Sequence, residues 1–193
     1  MSVEIALEKY PLELSCGDGQ KCVIRPLIKE DEALIKDFYL QIPEHERMFI
    51  KHRVTDGAIF HEWCENIDYE NNLPLLALRD GVIVAEATLH QRQGGWKRHI
   101  GLVSELTHPD HTGKGLSEIL IKELVGLAQH AGLRKLEAEL NGERTIAIHS
   151  YAETGFREMI KLSNYVEDMD MKAHDYILMG MDISTPEEYA GMG

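Results

Sequence analysis

The sequence predicts a mixed α/β (α+β) domain built on a sheet of about seven strands with about four helices. Three observations carry the prediction. The segment 98–141 reads as strand, glycine loop, helix and strand, a unit whose two strands lie side by side and parallel. Asp80-Gly81 separates two apolar runs, 75–79 and 82–90, and is a strong two-residue hairpin signal. The 193 residues are 44% hydrophobic and 27% charged, enough for one buried core, and contain no repeat, low-complexity tract or Pro/Ser-rich linker. We therefore expect one domain over 1–183 and a polar, glycine-containing tail over 184–193.

The elements follow in order. Leu12 and Leu14 alternate with polar neighbours, Gly17-Asp18-Gly19 turns the chain, and Cys22-Val23-Ile24 returns it as a hairpin. Asp31 to Leu40 has helical spacing through Ala33, Leu34, Phe38 and Leu40, with acids at its start. Pro43 opens a second helix running to Ile50, and Asp56 suits the N-cap of a third that carries Ile59, Phe60, Trp63 and Cys64. After the Asp80-Gly81 hairpin, Gly94-Gly95 feeds a strand from about Arg98 to Thr107. Pro109 ends it, Gly113 and Gly115 make a tight loop, and a helix runs from Leu116 to His130 with Leu116, Leu120, Leu124, Leu127 and Ala128 on one stripe. Gly132 stops that helix, and Leu136, Ala138 and Leu140 alternate as the next strand. A short helix spans 143–153, and 159–166 and 176–183 are the last strands.

Charge and cysteine content exclude several functions. Twenty Lys and Arg face 33 Asp and Glu, a net charge of -13. Such a chain is unsuited to sequence-independent nucleic-acid binding and is repelled by anionic membranes, and its field favours cationic partners. No apolar run approaches the ~18 residues that cross a bilayer, and the first residues lack a basic start followed by an apolar core, so neither a membrane span nor a secretory signal is expected. Cys16, Cys22 and Cys64 form no CxxC and are odd in number; we expect reduced thiols in a cytoplasmic protein.

The glycine loop is the most informative stretch. Glycine lets the backbone approach a phosphate, and a helix start offers free amides and the positive end of a dipole. Here those amides run from Gly113 to Ser117, and Lys114 adds a cation. GxxxxGK[ST] is absent, and Gly113-Lys114-Gly115 continues as Leu-Ser-Glu, so neither the nucleoside-triphosphate nor the dinucleotide motif is met. His61-Glu62 lacks the second histidine of HExxH, and His108-x-x-His111 lies on the loop itself, so no metal site is expected.

The stretch Pro109-Asp110-His111-Thr112-Gly113-Lys114-Gly115-Leu116-Ser117 resembles the [RQ]-x-x-G-x-[GA] signature of the GNAT acetyltransferase superfamily. A second block, from Ala147 through Tyr151 to Gly155-Phe156, resembles that family's alanine helix ending in tyrosine and Gly-Phe, at compatible spacing. The resemblance extends from about Cys22 to Ile183. Thr112 stands where the family carries Arg or Gln, Ser117 where it carries Gly or Ala, and Arg144 where many members carry Asn.

That resemblance implies a strongly twisted sheet whose central parallel strands splay around acetyl-CoA. It implies that the backbone from Glu105 to Thr107, with Leu106 and Thr107 as cofactor-binding residues, holds the pantetheine arm. Thr112, Gly113, Lys114, Gly115, Leu116 and Ser117 hold the pyrophosphate, and Arg144 adds charge near the cofactor. Catalysis is direct attack by an amine on the thioester, with a backbone amide near Leu106 facing the oxyanion, Tyr151 protonating the leaving sulfur and Glu105 as base; His90, His108 and His149 are alternative acceptors. Family members build the acceptor pocket from the first helices and last hairpin. Here these carry Glu44, Glu46, Asp56, Glu167, Asp168 and Asp170, which suits a small cationic amine or a protein lysine. The family includes monomers and homodimers. A non-catalytic acyl-CoA-binding or sensing module is the alternative function.

Overall fold

The computed structural model describes residues 3–47 and 57–183, with His45 described by its backbone alone. The eight strands are β1 (Leu12–Ser15), β2 (Lys21–Pro26), β3 (Asn72–Arg79), β4 (Val82–His90), β5 (Ile100–Thr107), β6 (Lys135–Asn141), β7 (Arg157–Glu167) and β8 (Ala173–Asp182). They form one sheet in the order β1-β2-β3-β4-β5-β6-β8-β7. The described helices are α1 (Val3–Leu7), α2 (Glu32–Gln41), α3 (Glu44–Arg47), α4 (Ala58–Glu65), α5 (Leu116–His130) and α6 (Thr145–Glu153). The sheet thus has one strand more than expected. Helix α3 is the start of the helix expected from Pro43, and α1, a five-residue piece, was not expected because its apolar pattern is too short to register as a period. The expected N-cap Asp56, the end of the helix opened by Pro43 and the tail over 184–193 lie outside the described residues.

All neighbouring strands run antiparallel except β5 and β6, which pair in parallel over Ile100–Leu102 and Lys135–Glu137 alone. Gly101 permits this approach, since a Cβ there would fall 2.8 Å from Leu133 and from Leu89. Beyond Leu102 the two strands separate. β5 stays paired with β4 up to Thr107, and β6 stays paired with β8 up to Asn141. The opening lies within the sheet, and the β5 edge that faces it has no strand partner beyond Leu102.

Two apolar cores flank the sheet. On one face, α5 lays Leu116, Leu120, Ile121, Leu124, Leu127 and Ala128 against strand residues such as Leu75, Ala85, Val103 and Ala138, and α6 adds Ala147 and Tyr151. On the other face, α2 and α4 bury Ile35, Phe38, Tyr39, Phe60 and Cys64 against Leu76, Leu78, Ile83 and Leu106. Each fully buried aliphatic or aromatic side chain contributes about 1.5–3 kcal/mol. No described helix is long and apolar enough to cross a membrane.

Candidate active site

The glycine loop sits at the end of the opening. A 3₁₀ turn over Pro109–His111 breaks β5, and Gly113 and Gly115 both take left-handed backbone, φ 74° and 77°. Side-chain-bearing residues seldom adopt that region. Thr112 folds away from the loop, its hydroxyl donating to the His108 carbonyl, and the Lys114 ammonium donates to the Asp110 carbonyl. The amides of Gly113 to Ser117 have no acceptor among the described residues, and they converge on the N-terminus of α5. Unspent amides at a fifteen-residue helix start form an anion cradle, so these residues fit a pyrophosphate.

The β1–β2 hairpin braces this loop, a role that sequence reading missed. The Gly17 amide donates to the Lys114 carbonyl at 2.9 Å, and a Cβ on Gly17 would meet that oxygen at 3.1 Å. Arg79, buried at the end of β3, grips both Asp18 oxygens at 2.9 Å and reaches Gln20 and His111. Its guanidinium holds the Asp18 carboxyl below the ordinary range. Burial, with the cations of Lys114 and Arg79, lowers the His111 pKa, so the imidazole beside the loop is neutral near pH 7.

Within the opening the structure gathers Glu105, Thr107, Ser117, Arg144 and Tyr151. Asn141 caps the β6–α6 turn by accepting the Glu143 and Arg144 amides, which aims Arg144 across the gap. Its guanidinium donates to the Glu105 carbonyl and lies 3.2 Å from Glu105 Oε1. Glu105 Oε2 accepts from the Ser117 hydroxyl at 2.9 Å and from Thr107 at 3.4 Å. Both carboxylate oxygens are therefore engaged, and the side chain is 3% exposed. Sequence spacing shows a glutamate among apolar neighbours on β5, but not the cation 39 residues away that faces it.

Tyr151 lies at the root of the opening, where its hydroxyl donates to the Val103 carbonyl at 3.0 Å and its ring stands edge-on to Phe156. Burial, aided by the Glu105 charge, raises its pKa well above the ordinary value, so it stays a neutral donor.

Backbone direction sets Leu106 apart from Glu105 and Thr107. Residues of a strand alternate in the edge to which they present N–H and C=O. The Val103 and Glu105 carbonyls face the opening, whereas the His108 amide bonds the Val84 carbonyl on β4. Leu106 therefore turns its amide toward β4, and its side chain joins the α2–α4 core. The backbone groups available in the opening belong to Val103, Glu105 and Thr107.

A second buried carboxylate escaped sequence reading. Glu86 on β4, paired with Leu106, accepts from the Tyr39 hydroxyl at 2.9 Å and from the Thr88 hydroxyl. Burial raises its pKa; the two hydroxyl donors oppose the shift and the Glu105 charge adds to it. β4 is buried on both faces, so no alternation marks the residue, and a glutamate among Val, Ala and Leu was the available clue.

The other expected groups separate. His90 contacts Asn72 and Ser104, His108 pairs edge-on with His111, and His149 is exposed on α6. Asp168 is bound within the β7–β8 turn by His174 and by the amides of Asp170 and Lys172. No group of three or more potential metal ligands occurs among the described residues.

A parallel pair that parts beside an amide-rich helix start makes a cleft that fits an extended ligand bearing a pyrophosphate. Residues 35–156 match the family model described as Acetyltransferase (GNAT) family, and the chain belongs to that family. It is 25% identical over 138 residues to the L-amino acid N-acyltransferase MnaT of Escherichia coli K12, covering 69% of this chain and 78% of that one. Among solved structures, the GNAT domain of S. lividans PAT superposes with a TM-score of 0.73 at 17% identity, over 89% of this chain and 96% of that one. The putative acetyltransferase yncA of Salmonella typhimurium, solved with acetyl-CoA, superposes at 0.71 with 19% identity, over 86% and 96%. This chain is an acyltransferase whose donor is acetyl-CoA, which sets aside the sensing-module alternative.

Proposed function

We propose that the enzyme transfers acetyl from acetyl-CoA to a cationic primary amine by direct attack. The observation that carries this reading is the opening between β5 and β6, lined by Tyr151 and closed at one end by the free amides of Gly113 to Ser117. In this reading those amides bind the pyrophosphate, Arg144 adds positive charge, and the edge of β5 carrying Val103, Glu105 and Thr107 bonds the pantetheine arm.

The amine nitrogen bonds to the thioester carbonyl carbon and the carbon–sulfur bond breaks. The Thr107 amide faces the oxygen that gains charge, and Tyr151 gives its hydroxyl proton to the leaving sulfur. For the amine's proton we favour Glu86 over Glu105. Glu86 faces the α2–α4 side with only neutral hydroxyls as donors, and its burial favours proton uptake. Glu105 anchors Arg144 and Ser117.

The chain's net charge of -13 and Glu44, Glu46, Glu167 and Asp170 support a cationic acceptor. The E. coli relative is by name an L-amino acid N-acyltransferase, which supports a small amine; a protein lysine is the other member of the class. Three free thiols accord with a cytoplasmic setting.

Calorimetric titration with acetyl-CoA, using ATP for comparison, tests the donor site. We expect saturable acetyl-CoA binding near one per chain and clearly weaker ATP. Gly115→Trp, which puts a bulky side chain at φ 77°, should abolish that binding in a folded variant. Unchanged binding would remove the loop from the pyrophosphate assignment.

A further inference from the structure

Strand pairing lines up three polar side chains on one face of the sheet. Asn72 of β3 lies opposite His90 of β4, and Thr88 of β4 lies opposite Ser104 of β5. Alternate residues of a strand share a face, so His90 shares that of Glu86, and Ser104 shares that of Leu106, which packs in the α2–α4 core. The His90 ring joins the other two side chains. Its Nδ1 lies 2.7 Å from Asn72 Oδ1, and its Nε2 lies 3.0 Å from the Ser104 hydroxyl. Asn72 Oδ1 can only accept, so in the neutral ring the proton sits on Nδ1 and the Nε2 lone pair is turned toward Ser104. A hydroxyl bonded to an imidazole whose far nitrogen is held by a third side chain is the arrangement of an activated nucleophile.

The surroundings suit acyl chemistry. Ser104 is exposed, so a reagent can reach its oxygen. The next residue is Glu105, whose carbonyl faces the opening between β5 and β6. The N–H and C=O of one strand residue point to the same edge, so the Glu105 amide faces that opening as well. A backbone amide directly after a serine nucleophile is a recurrent donor to the oxyanion. Asn72, His90 and Ser104 come from three neighbouring strands, so the sheet itself holds their spacing.

We propose that Ser104, His90 and Asn72 form a nucleophilic site that takes an acyl group from a small activated ester or thioester and hands it to water. The Ser104 oxygen bonds to the carbonyl carbon while its proton passes to His90 Nε2. The bond to the leaving oxygen or sulfur breaks, and that atom takes the proton from His90. Water then attacks the acyl-serine, His90 accepts a proton from the water and returns it to the Ser104 oxygen, and the carboxylic acid leaves. This hydrolysis is separate from transfer to an amine, and only its use of acetyl-CoA rests on the donor site proposed above.

Hydrolysis of p-nitrophenyl acetate by the full chain, without amine, tests the site and needs no coenzyme A cleft. We expect turnover that Ser104→Ala and His90→Ala each lower at least about tenfold. Asn72→Asp keeps the acceptor and adds a charge that stabilises the imidazolium, so it should exceed the wild-type rate, an effect that a merely structural contact would not produce. A fluorophosphonate should label Ser104 in the wild type and not in His90→Ala, read by peptide mass spectrometry. A folded wild type left unlabelled at Ser104 would overturn the proposal, as would ester hydrolysis that survives Ser104→Ala. Acetyl found on Ser104 after the ester but not after acetyl-CoA would support the nucleophile and count against the donor reading instead.

Discussion

Arg144, at the start of α6, spans the opening in the sheet and holds Glu105 of β5 by both its backbone carbonyl and its carboxylate. One end of this pair is 3% exposed and the other 31%, so the guanidinium fixes a buried anion while remaining reachable from solvent. The pair stands where the donor substrate enters in our reading, and it fixes Ser117 at the base of the amide cradle through the same carboxylate.

Removing the cation should therefore act on two readouts. Arg144→Ala leaves the Glu105 carboxylate with hydroxyl donors alone, and we expect a loss of about 1–2 kcal/mol, reduced from the full buried-pair value by the exposure of Arg144. It should also raise the KM for acetyl-CoA. Urea denaturation of both single variants and the double variant with Glu105→Gln gives the coupling, and strict additivity would show that the two side chains do not interact.

Tyr151→Phe removes one proton donor while keeping the ring against Phe156. We expect kcat to fall by about 10²-fold, with the acetyl-CoA dissociation constant nearly unchanged. Because the tyrosine stays protonated throughout the accessible range, the basic limb of the wild-type pH–rate profile should not belong to it. Full activity in the variant would take Tyr151 out of the mechanism.

Arg79→Ala cuts the brace between β3, the hairpin tip and the phosphate loop. The buried guanidinium makes two contacts to the Asp18 carboxylate, and we expect a cost of about 2–3 kcal/mol. At temperatures where the variant is folded, its acetyl-CoA affinity should fall, since Gly17 and Lys114 are coupled through the same hairpin. Thermal denaturation paired with calorimetry separates the two effects; intact affinity would mean that the loop holds its shape unaided.

Glu86 should make stability depend on pH. Its folded pKa is raised, so the unfolded chain releases this proton at lower pH than the native one. Its contribution is present in full below the ordinary carboxyl value near 4.5 and is lost as pH rises through the raised native value. Glu86→Gln removes that loss, so its stability relative to wild type should improve from pH 4 to pH 8. Parallel stability curves for the two proteins would refute the assignment. If Glu86 also takes the amine's proton, the same variant loses kcat and the acid limb of its rate profile.

Much of the fold was legible in the chain. The α5 boundaries, 116–130, follow from a leucine stripe between Gly115 and Gly132, and the 80–81 turn follows from Asp-Gly. The phosphate loop was visible because glycine spacing is local chemistry. Glu86 and the Arg79 brace were not, because nothing near Glu86 announces Tyr39, 47 residues earlier, and Asp18 lies 61 residues before Arg79. Which backbone groups of β5 face the opening was not legible either, because that depends on which edge of β5 pairs with β4.

By itself the sequence determined the order of elements, the parallel unit, the glycine loop and the presence of Tyr151 at the end of a helical motif. Periodicity and turn chemistry act over a few residues, and those features are set at that range. Tertiary structure decided where the parallel pair parts, which backbone groups face the gap, and which of the carboxylates meets a cation. Those outcomes depend on long-range packing that brings Arg144 to Glu105 and Tyr39 to Glu86, and a local pattern reports only that a side chain faces inward, not what waits there.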